Sequence, residues 1–344
     1  RHSTGPGQGR KVPGIGRRPE TPTGASMSLA RRIRLPRTDL DVSPICLGGN
    51  RLGGELDQAA SFALLDAFVA AGGNFIDTAH VYANWLKDAE RSCSEKTLGR
   101  WLRARGGTRG VVIATKGGSP EAEAPEVRRL DEGSLRRDLA ESLEFMGVST
   151  IDLYYLHRDD PARPVEELLA LLEDMKTKGQ IRHYGASNWS VARLEEAESV
   201  CRARGWSGFA ANQCEWSFAK RNAGTTGADM VQGDAAMAAW HRRHGIAAVP
   251  YSSQAKGWFD KVATGRQEPL TDRLYDNAGN RALAPVLAAA AQAVGSTPTQ
   301  AMLARMMQAP FPFVPIIGPR SVEQMRSSVA SLALPPVEHG LPAV

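Results

Sequence analysis

The feature that most constrains this chain is an alternation of short apolar segments with longer amphipathic ones, repeated eight times. The apolar segments have the length of strands buried on both faces, and the intervening segments carry apolar residues at helical spacing. This pattern favours a parallel sheet covered by helices, and eight repeats favour a closed (β/α)8 barrel, the TIM-barrel architecture. The predicted strands are 45–49, 74–79, 111–116, 151–157, 181–188, 209–213, 246–252 and 313–318.

A short hairpin precedes the barrel. Residues 33–35 and 42–47 flank a Pro-Arg-Thr-Asp turn, which predicts an N-terminal β-hairpin. The rival architecture, a doubly wound sheet, would carry G-x-G-x-x-G between an early strand and helix, and that motif is absent there. The insertion at 254–281 contains Gly-Trp-Phe and several charges, and we expect it to cover a bound molecule.

The net charge is unevenly distributed along the chain. It is +5 over 344 residues, and residues 1–27 hold five basic residues against one acidic residue. We therefore expect a disordered tail at 1–27, a single domain at 28–344 and no nucleic-acid partner. No apolar run approaches the roughly 18 residues of a membrane span, so we expect no membrane partner. The four cysteines lack C-x-x-C spacing, which favours reduced thiols in a cytoplasmic protein.

Ionisable side chains follow three of the predicted strands. Asp77 ends one strand, Lys116 ends the next, His157 ends the third, and Tyr82 lies in the loop beyond Asp77. Barrel enzymes carry their chemistry at the carboxyl ends of the strands, so we expect these four side chains to meet. A carboxylate buried at a strand end is costly unless a cation pairs with it, and Lys116 is the natural partner. The set predicts a proton-transfer site built around a phenol.

The chain resembles the aldo-keto reductases, barrel enzymes that reduce carbonyls with NADPH. Residues 33–332 carry the family's motifs in order: Phe-Ile-Asp-Thr-Ala at 75–79 followed by Tyr82, Ala-Thr-Lys at 114–116, Asp-Leu-Tyr-Tyr-Leu-His at 152–157, Gly-Ala-Ser-Asn at 185–188, Asn-Gln at 212–213, Pro-Tyr-Ser at 250–252, and Ile-Ile-Gly-Pro-Arg-Ser-Val-Glu-Gln at 316–324. The ordered set implies the reduction of a small-molecule aldehyde or ketone to an alcohol.

The resemblance implies a catalytic tetrad, and the chemistry agrees with it. Hydride delivery to a carbonyl carbon leaves an alkoxide, so a proton donor must stand at the oxygen, and Tyr82 is the implied general acid. Lys116 would tune the phenol, Asp77 would keep Lys116 charged, and His157 would hydrogen-bond the carbonyl oxygen or relay a proton to Tyr82. Each of the four taken singly also fits a structural role.

The cofactor contacts are implied by the resemblance. The side chains of Ser187, Asn188 and Gln213 would hold the nicotinamide carboxamide, and the ring of Tyr251 would stack on the nicotinamide. Arg320, where the last helix begins, favours NADPH over NADH because the 2′-phosphate needs a cation. The Lys-Ser form common in the family is absent there, and Ser-Ser at 327–328 replaces its frequent Glu-Asn pair. The remaining implied contacts are Gly49, Asn50, Ser252, Gly318, Ser321 and Gln324.

Loop residues close to the strand ends are expected to complete a substrate pocket. Their aromatic rings suit an apolar or sugar-like carbonyl compound, although each also fits loop packing. The predicted pocket residues are Trp85, Arg158, Trp189, Trp216 and Trp258.

Two other function classes stay open on the sequence. The chain could be a non-catalytic nicotinamide-binding regulatory subunit, or a lyase that uses Lys116 as a Schiff-base amine. We predict no metal site: His241 and His244 share a helix without a third ligand, and we expect both imidazoles to be solvated.

Overall fold

The computed structural model describes residues 1–2, 28–121, 123–338, 340–342 and 344, so the predicted tail at 1–27 lies almost entirely outside the described residues. The first element is the predicted hairpin. Strand β1 (Ile33–Arg34) pairs antiparallel with β2 (Asp41–Val42). Leu35, Leu40 and Val42 are fully or almost fully buried and pack on side chains from inside the barrel, so the hairpin covers one end of the barrel.

Within the described residues, eight parallel strands follow, as the alternation predicted. In hydrogen-bonded order, the strands of the sheet begin at Ile316, Cys46, Phe75, Val112, Ile151, Ile181, Ala211 and Ala247. The backbone of Ala248, in the strand that ends this order, accepts from the N–H of Val314 at 2.8 Å and donates to the carbonyl of Pro312 at 2.8 Å. These bonds join that strand to the segment that leads into the strand at Ile316, where the order begins. The strands are β3 (Cys46–Gly48), β4 (Phe75–Asp77), β5 (Val112–Gly117), β6 (Ile151–Leu156), β7 (Ile181–Ser187), β8 (Ala211–Gln213), β9 (Ala247–Ala248) and β10 (Ile316–Ile317).

The helices surround this sheet. In the described part of the chain, no helix is both long and apolar enough to cross a membrane. The α-helices are α1 (Gln58–Ala70), α2 (Cys93–Ala104), α3 (Glu132–Met146), α4 (Val165–Thr177), α5 (Val191–Arg204), α6 (Ala235–His244), α7 (Trp258–Ala263), α8 (Pro269–Tyr275), α9 (Ala278–Ala293), α10 (Pro298–Met306) and α11 (Val322–Ala330).

Two hydrophobic layers form the core among the described residues. The larger one lies between strands and helices, and a smaller one inside the barrel includes Phe75, Leu153 and Tyr155. A Cβ at Gly185 would lie 2.6 Å from the ring of Tyr155, so the large interior ring requires glycine on the neighbouring strand.

The structure departs from the sequence pattern at several element ends and within the insertion. The sequence pattern predicts a helix over 229–244, but α6 begins at Ala235, because Asp234 caps it by accepting from the backbone N–H of Met237 at 2.8 Å. The insertion at 254–281 contains α7 and α8. The side chain of Asn222 donates to the carbonyl of Arg273 at 2.9 Å, which ties α8 to the loop after β8.

Candidate active site

The ends of β4 and β5 bring Asp77, Lys116 and Tyr82 together. The ammonium nitrogen of Lys116 lies 2.7 Å from Asp77 Oδ2, 2.7 Å from the carbonyl oxygen of Thr78 and 2.9 Å from Tyr82 Oη. Asp77 and Lys116 are each about 1% exposed. All three ammonium protons therefore have an acceptor, and one of those acceptors is the phenol.

The protonation states follow from this arrangement. Burial opposes the charge on Lys116, but Asp77 and Tyr82 outweigh burial and raise the pKa of Lys116 above its usual value. Burial also raises the pKa of Tyr82, although the nearby charge of Lys116 pulls that pKa down. At neutral pH the lysine is thus an ammonium and the phenol keeps its proton.

His157 packs against the phenol of Tyr82. Its ring centroid is 5.9 Å from that of Tyr82, with the rings edge to face. Burial, followed by the charges of Arg158 and Lys116, lowers the pKa of His157 well below its usual value. The imidazole is therefore neutral at physiological pH, and it can donate a hydrogen bond without carrying a charge.

Asn188 and Gln213 contact the same cluster by different routes. Gln213 Nε2 donates to Asp77 Oδ1 at 2.9 Å. Asn188 adopts a left-handed backbone (φ +61°), and its Oδ1 accepts from Tyr251 Oη at 2.7 Å. Its Nδ2 donates to the carbonyl of His157 at 3.2 Å and to Ser187 Oγ at 3.1 Å. The oxygen and the nitrogen of the Asn188 amide thus both have hydrogen-bond partners inside the protein, and a ligand would have to replace one of these partners.

A cleft of about 510 Å³ runs from Asp77 and Tyr82 to the start of α11. At the far end, Ser321 caps α11 by accepting from the N–H of Gln324 at 3.3 Å, and Gln324 Oε1 accepts from the N–H of Arg320 at 2.8 Å. The predicted cofactor residues that line the cleft are Asn50, Tyr251, Ser252, Gly318, Arg320 and Gln324.

Gly49 lies behind this cleft wall. Its N–H donates to the carbonyl of Asp77 at 2.7 Å, and its carbonyl accepts from Ser94 Oγ at 2.7 Å. Because its backbone is engaged in this way, Gly49 holds β3 against β4 at the rim of the cleft.

Three cations, Arg51, Lys256 and Arg320, line the cleft, and the sequence prediction missed Arg51 and Lys256. Arg51 pairs with Glu55, and Arg320 Nε lies 3.7 Å from the same carboxylate. Burial lowers the pKa of Lys256, and the charges of Arg51, Arg221 and Arg320 lower it further. Lys256 also has a left-handed backbone (φ +52°), which is uncommon for a side chain of this size. Arg51 lies close to the end of the predicted strand 45–49, so its position could have indicated it. No local feature of the sequence indicated Lys256.

The predicted substrate-pocket residues divide into two groups. Trp85 is 49% exposed, lines the cleft and meets Tyr82 edge to face at 6.1 Å. Arg158 is partly accessible beside His157. The other three tryptophans are buried.

The buried tryptophans fill space behind the loops. Trp189 packs on Phe209 at 5.1 Å, and its indole N–H donates to the carbonyl of Arg158. Trp258 packs on Phe259 at 5.1 Å, and Trp216 packs on Phe313 at 5.5 Å. None of the three lines the cleft, because their rings occupy the gap between strands and helices.

Comparison with known proteins agrees with this geometry. The model of the aldo/keto reductase family matches residues 44–340. The chain is 30% identical to the aryl-alcohol dehydrogenase (NADP(+)) of Phanerodontia chrysosporium, over 91% of this chain and 84% of that protein. It is 29% identical to the norsolorinic acid reductase stcV of Emericella nidulans, over 92% of this chain and 81% of that protein. The chain therefore belongs to the aldo/keto reductase family of oxidoreductases.

Proposed function

We propose that this protein is an NADP(H)-dependent reductase that converts aldehydes or ketones to alcohols, with Tyr82 as the general acid. The observation that carries the proposal is the position of Lys116 Nζ, within hydrogen-bond distance of both Asp77 and Tyr82. A bound nicotinamide would supply the hydride, and the protein must supply the proton.

The proton comes from Tyr82. The phenol is protonated at neutral pH, and the adjacent Lys116 ammonium stabilises the negative charge that develops on Tyr82 Oη as the proton leaves. Asp77 keeps that ammonium charged and fixes its direction. The raised pKa of Lys116 disfavours a Schiff-base role, since that chemistry needs a neutral amine.

His157 orients the carbonyl group. A neutral imidazole beside the phenol would donate a hydrogen bond to the carbonyl oxygen. Because burial holds its pKa well below the usual value, His157 stays neutral and acts as a hydrogen-bond donor while Tyr82 acts as the acid.

The cleft residues fit a nicotinamide dinucleotide phosphate. Arg51, Lys256 and Arg320 all line the cleft, and a bound anion would relieve the repulsion among them, which suits phosphate groups. Ser321 and Gln324 would assist at the start of α11, where backbone N–H groups favour an anion.

The nicotinamide end of the cofactor would lie beside Tyr251, against Ser187, Asn188 and Gln213, with Asn50, Ser252 and Gly318 along its length. Asn188 would exchange an internal hydrogen bond for the carboxamide. Arg320, with 59% of its side chain exposed, is the residue that would discriminate NADPH from NADH.

The substrate would enter beside Trp85. Its exposed indole next to Tyr82 offers a face on which an apolar or aromatic carbonyl compound can pack. The printed name of the Phanerodontia chrysosporium relative, an aryl-alcohol dehydrogenase, is compatible with such a substrate.

The test compares the native protein with Tyr82→Phe, following NADPH absorbance with a panel of aldehydes and ketones. We expect turnover by the native protein and a loss in kcat of about 10²- to 10⁴-fold in the variant, the range for a lost general acid. Cofactor binding, measured by fluorescence titration, should be retained. Binding without turnover on any carbonyl would instead favour the regulatory subunit, and absence of binding would refute the proposal.

A further inference from the structure

Arg158 follows β6 directly and carries its guanidinium beside the proposed reaction centre. Its Nη1 donates to the carbonyl of His157 at 3.0 Å, and its Nε lies 3.3 Å from Asp229 Oδ2. About 19% of the side chain is accessible. A guanidinium has five N–H donors in a planar fork, so these contacts leave donors for a ligand.

The charges around Arg158 do not balance. Asp229 also pairs with Arg128, at 2.7 Å. Among the described residues, Asp229 is the one carboxylate that pairs with either arginine, so two guanidinium groups share one negative charge. Asp77 and Lys116 already neutralise each other. This side of the site therefore carries an excess positive charge.

That excess lies away from the proposed phosphate contacts. Arg320 follows β10, and β6 stands four places from β10 in the ring of eight strands. Arg158 is thus on the opposite side of the barrel from Arg320, and the cofactor phosphates do not account for it.

We propose that the preferred substrates carry an anionic group, a carboxylate in the simplest case, which Arg158 binds while Tyr82 and His157 hold the carbonyl. This inference rests on the proposed function and names its substrate class. Burial raises the pKa values of Tyr82 and Tyr251 and lowers that of His157, and the charge of Arg158 acts to lower all three, so its field reaches the reaction centre. A bidentate guanidinium–carboxylate pair would also fix the orientation of the substrate.

The experiment compares two aldehydes that differ in charge, 4-formylbenzoate and its methyl ester. The measured quantity is the ratio of their kcat/KM values with NADPH. We expect the native enzyme to favour the acid about tenfold or more, which corresponds to roughly 1.4 kcal/mol. Arg158→Gln should remove most of this preference, and Arg158→Lys should retain part of it because the charge remains without the fork.

The control is Arg136→Gln, which removes an arginine paired with Glu132 and Asp174 on the helical exterior and should leave the ratio unchanged. Thermal unfolding would establish that each variant is folded. A native enzyme that reduces the ester as well as the acid, or an Arg158→Gln ratio equal to the native one, would overturn the substrate assignment and leave the proposed function intact.

Absence of turnover on both aldehydes and on every other carbonyl of the panel would count against the proposed function separately. Calorimetric binding of terephthalate to the native protein and to Arg158→Gln then decides on the anion site alone. We expect binding to the native protein and a loss of about tenfold or more in the variant. Equal affinity, or no binding to either protein, would overturn the assignment.

Discussion

Two neighbouring residues of β5, Thr115 and Lys116, point to opposite sides of the barrel wall, and each meets a buried carboxylate. Inside, Lys116 meets Asp77 at 2.7 Å. Outside, between strands and helices, Thr115 Oγ1 donates to Glu95 of α2 at 2.5 Å. Asp77 and Glu95 are about equally buried, so burial alone does not separate the proposed catalytic cluster from the outer one.

Charge compensation separates them. Asp77 has an ammonium and an amide as partners, whereas Glu95 pairs with no cation among the described residues. Burial raises the pKa of Glu95 to about 7, opposed by its hydrogen bonds and by the charge of His80. The inner cluster also opens to the cleft. Paired charges with access to a ligand mark a reaction site, and an unpaired buried acid marks a cost to folding.

The largest effect should come from Lys116→Met. This change leaves Asp77 buried without a cation, which costs about 3–5 kcal/mol of unfolding free energy. It also removes the charge beside Tyr82, so carbonyl reduction should fall by about 10²-fold or more. Urea unfolding and steady-state NADPH oxidation measure the two effects.

The matched control is Thr115→Val, one residue away on the outer face. It removes the hydroxyl that donates to Glu95 and leaves the inner cluster unchanged. The free energy of unfolding should therefore fall, while kcat stays within about twofold of the native value. Comparable losses of kcat in both variants would show that the inner and outer clusters act as one unit, and would contradict the distinction drawn between them.

Glu95→Gln should change the pH dependence of stability. The folded protein holds the Glu95 proton more tightly than the unfolded chain, whose pKa is near 4.5. The resulting stabilisation is complete below about pH 4.5, declines as pH rises and is lost above about pH 7. From about pH 5 to about pH 8.5 the native protein should lose roughly 2–3 kcal/mol more unfolding free energy than the glutamine variant.

Unfolding in urea at a series of pH values measures this difference. The pH profile of kcat should be the same in both proteins, because the profile depends on the inner cluster. Parallel stability curves for the two proteins would mean that Glu95 is ionised at neutral pH and has a cationic partner after all.

The sequence predicted the inner cluster better than the packing around it. Asp77 and Lys116 end apolar strands, and parallel strands place their ends side by side, so their meeting follows from the pattern. No such rule predicts the burial of aromatic residues in loops. Trp85 and Trp189 both lie in loops after strands, yet Trp85 is 49% exposed and Trp189 is fully buried. Only the tertiary arrangement decides which ring faces the cleft.

His241 illustrates the same limit on a helix, where the prediction of a solvated ring was wrong. The imidazole is fully buried, stacks on Phe311 at 5.2 Å and contacts the carbonyl oxygen of Ile246 at 2.9 Å. Burial lowers its pKa to about 4. Histidine is compatible with either side of a helix, so spacing along the chain could not assign the face.

The smallest effect should come from Tyr154→Phe, which completes the comparison with Tyr82→Phe. Both phenols have pKa values raised by burial, but Tyr82 Oη bonds to Lys116, whereas Tyr154 Oη has no hydrogen-bond partner among the described residues. Removing a buried hydroxyl that makes no bond takes away a desolvated polar group, so unfolding free energy should change by less than about 1 kcal/mol and rise if it changes. Activity should stay near the native level, since Tyr154 is directed away from the cleft toward Asp138. A loss above about 2 kcal/mol in urea unfolding would mean that Tyr154 is held in a satisfied polar network with Asp138 and Glu95. The outer cluster would then resemble the inner one in its hydrogen bonding, while Glu95 would still lack a cation and the cluster would lack access to the cleft.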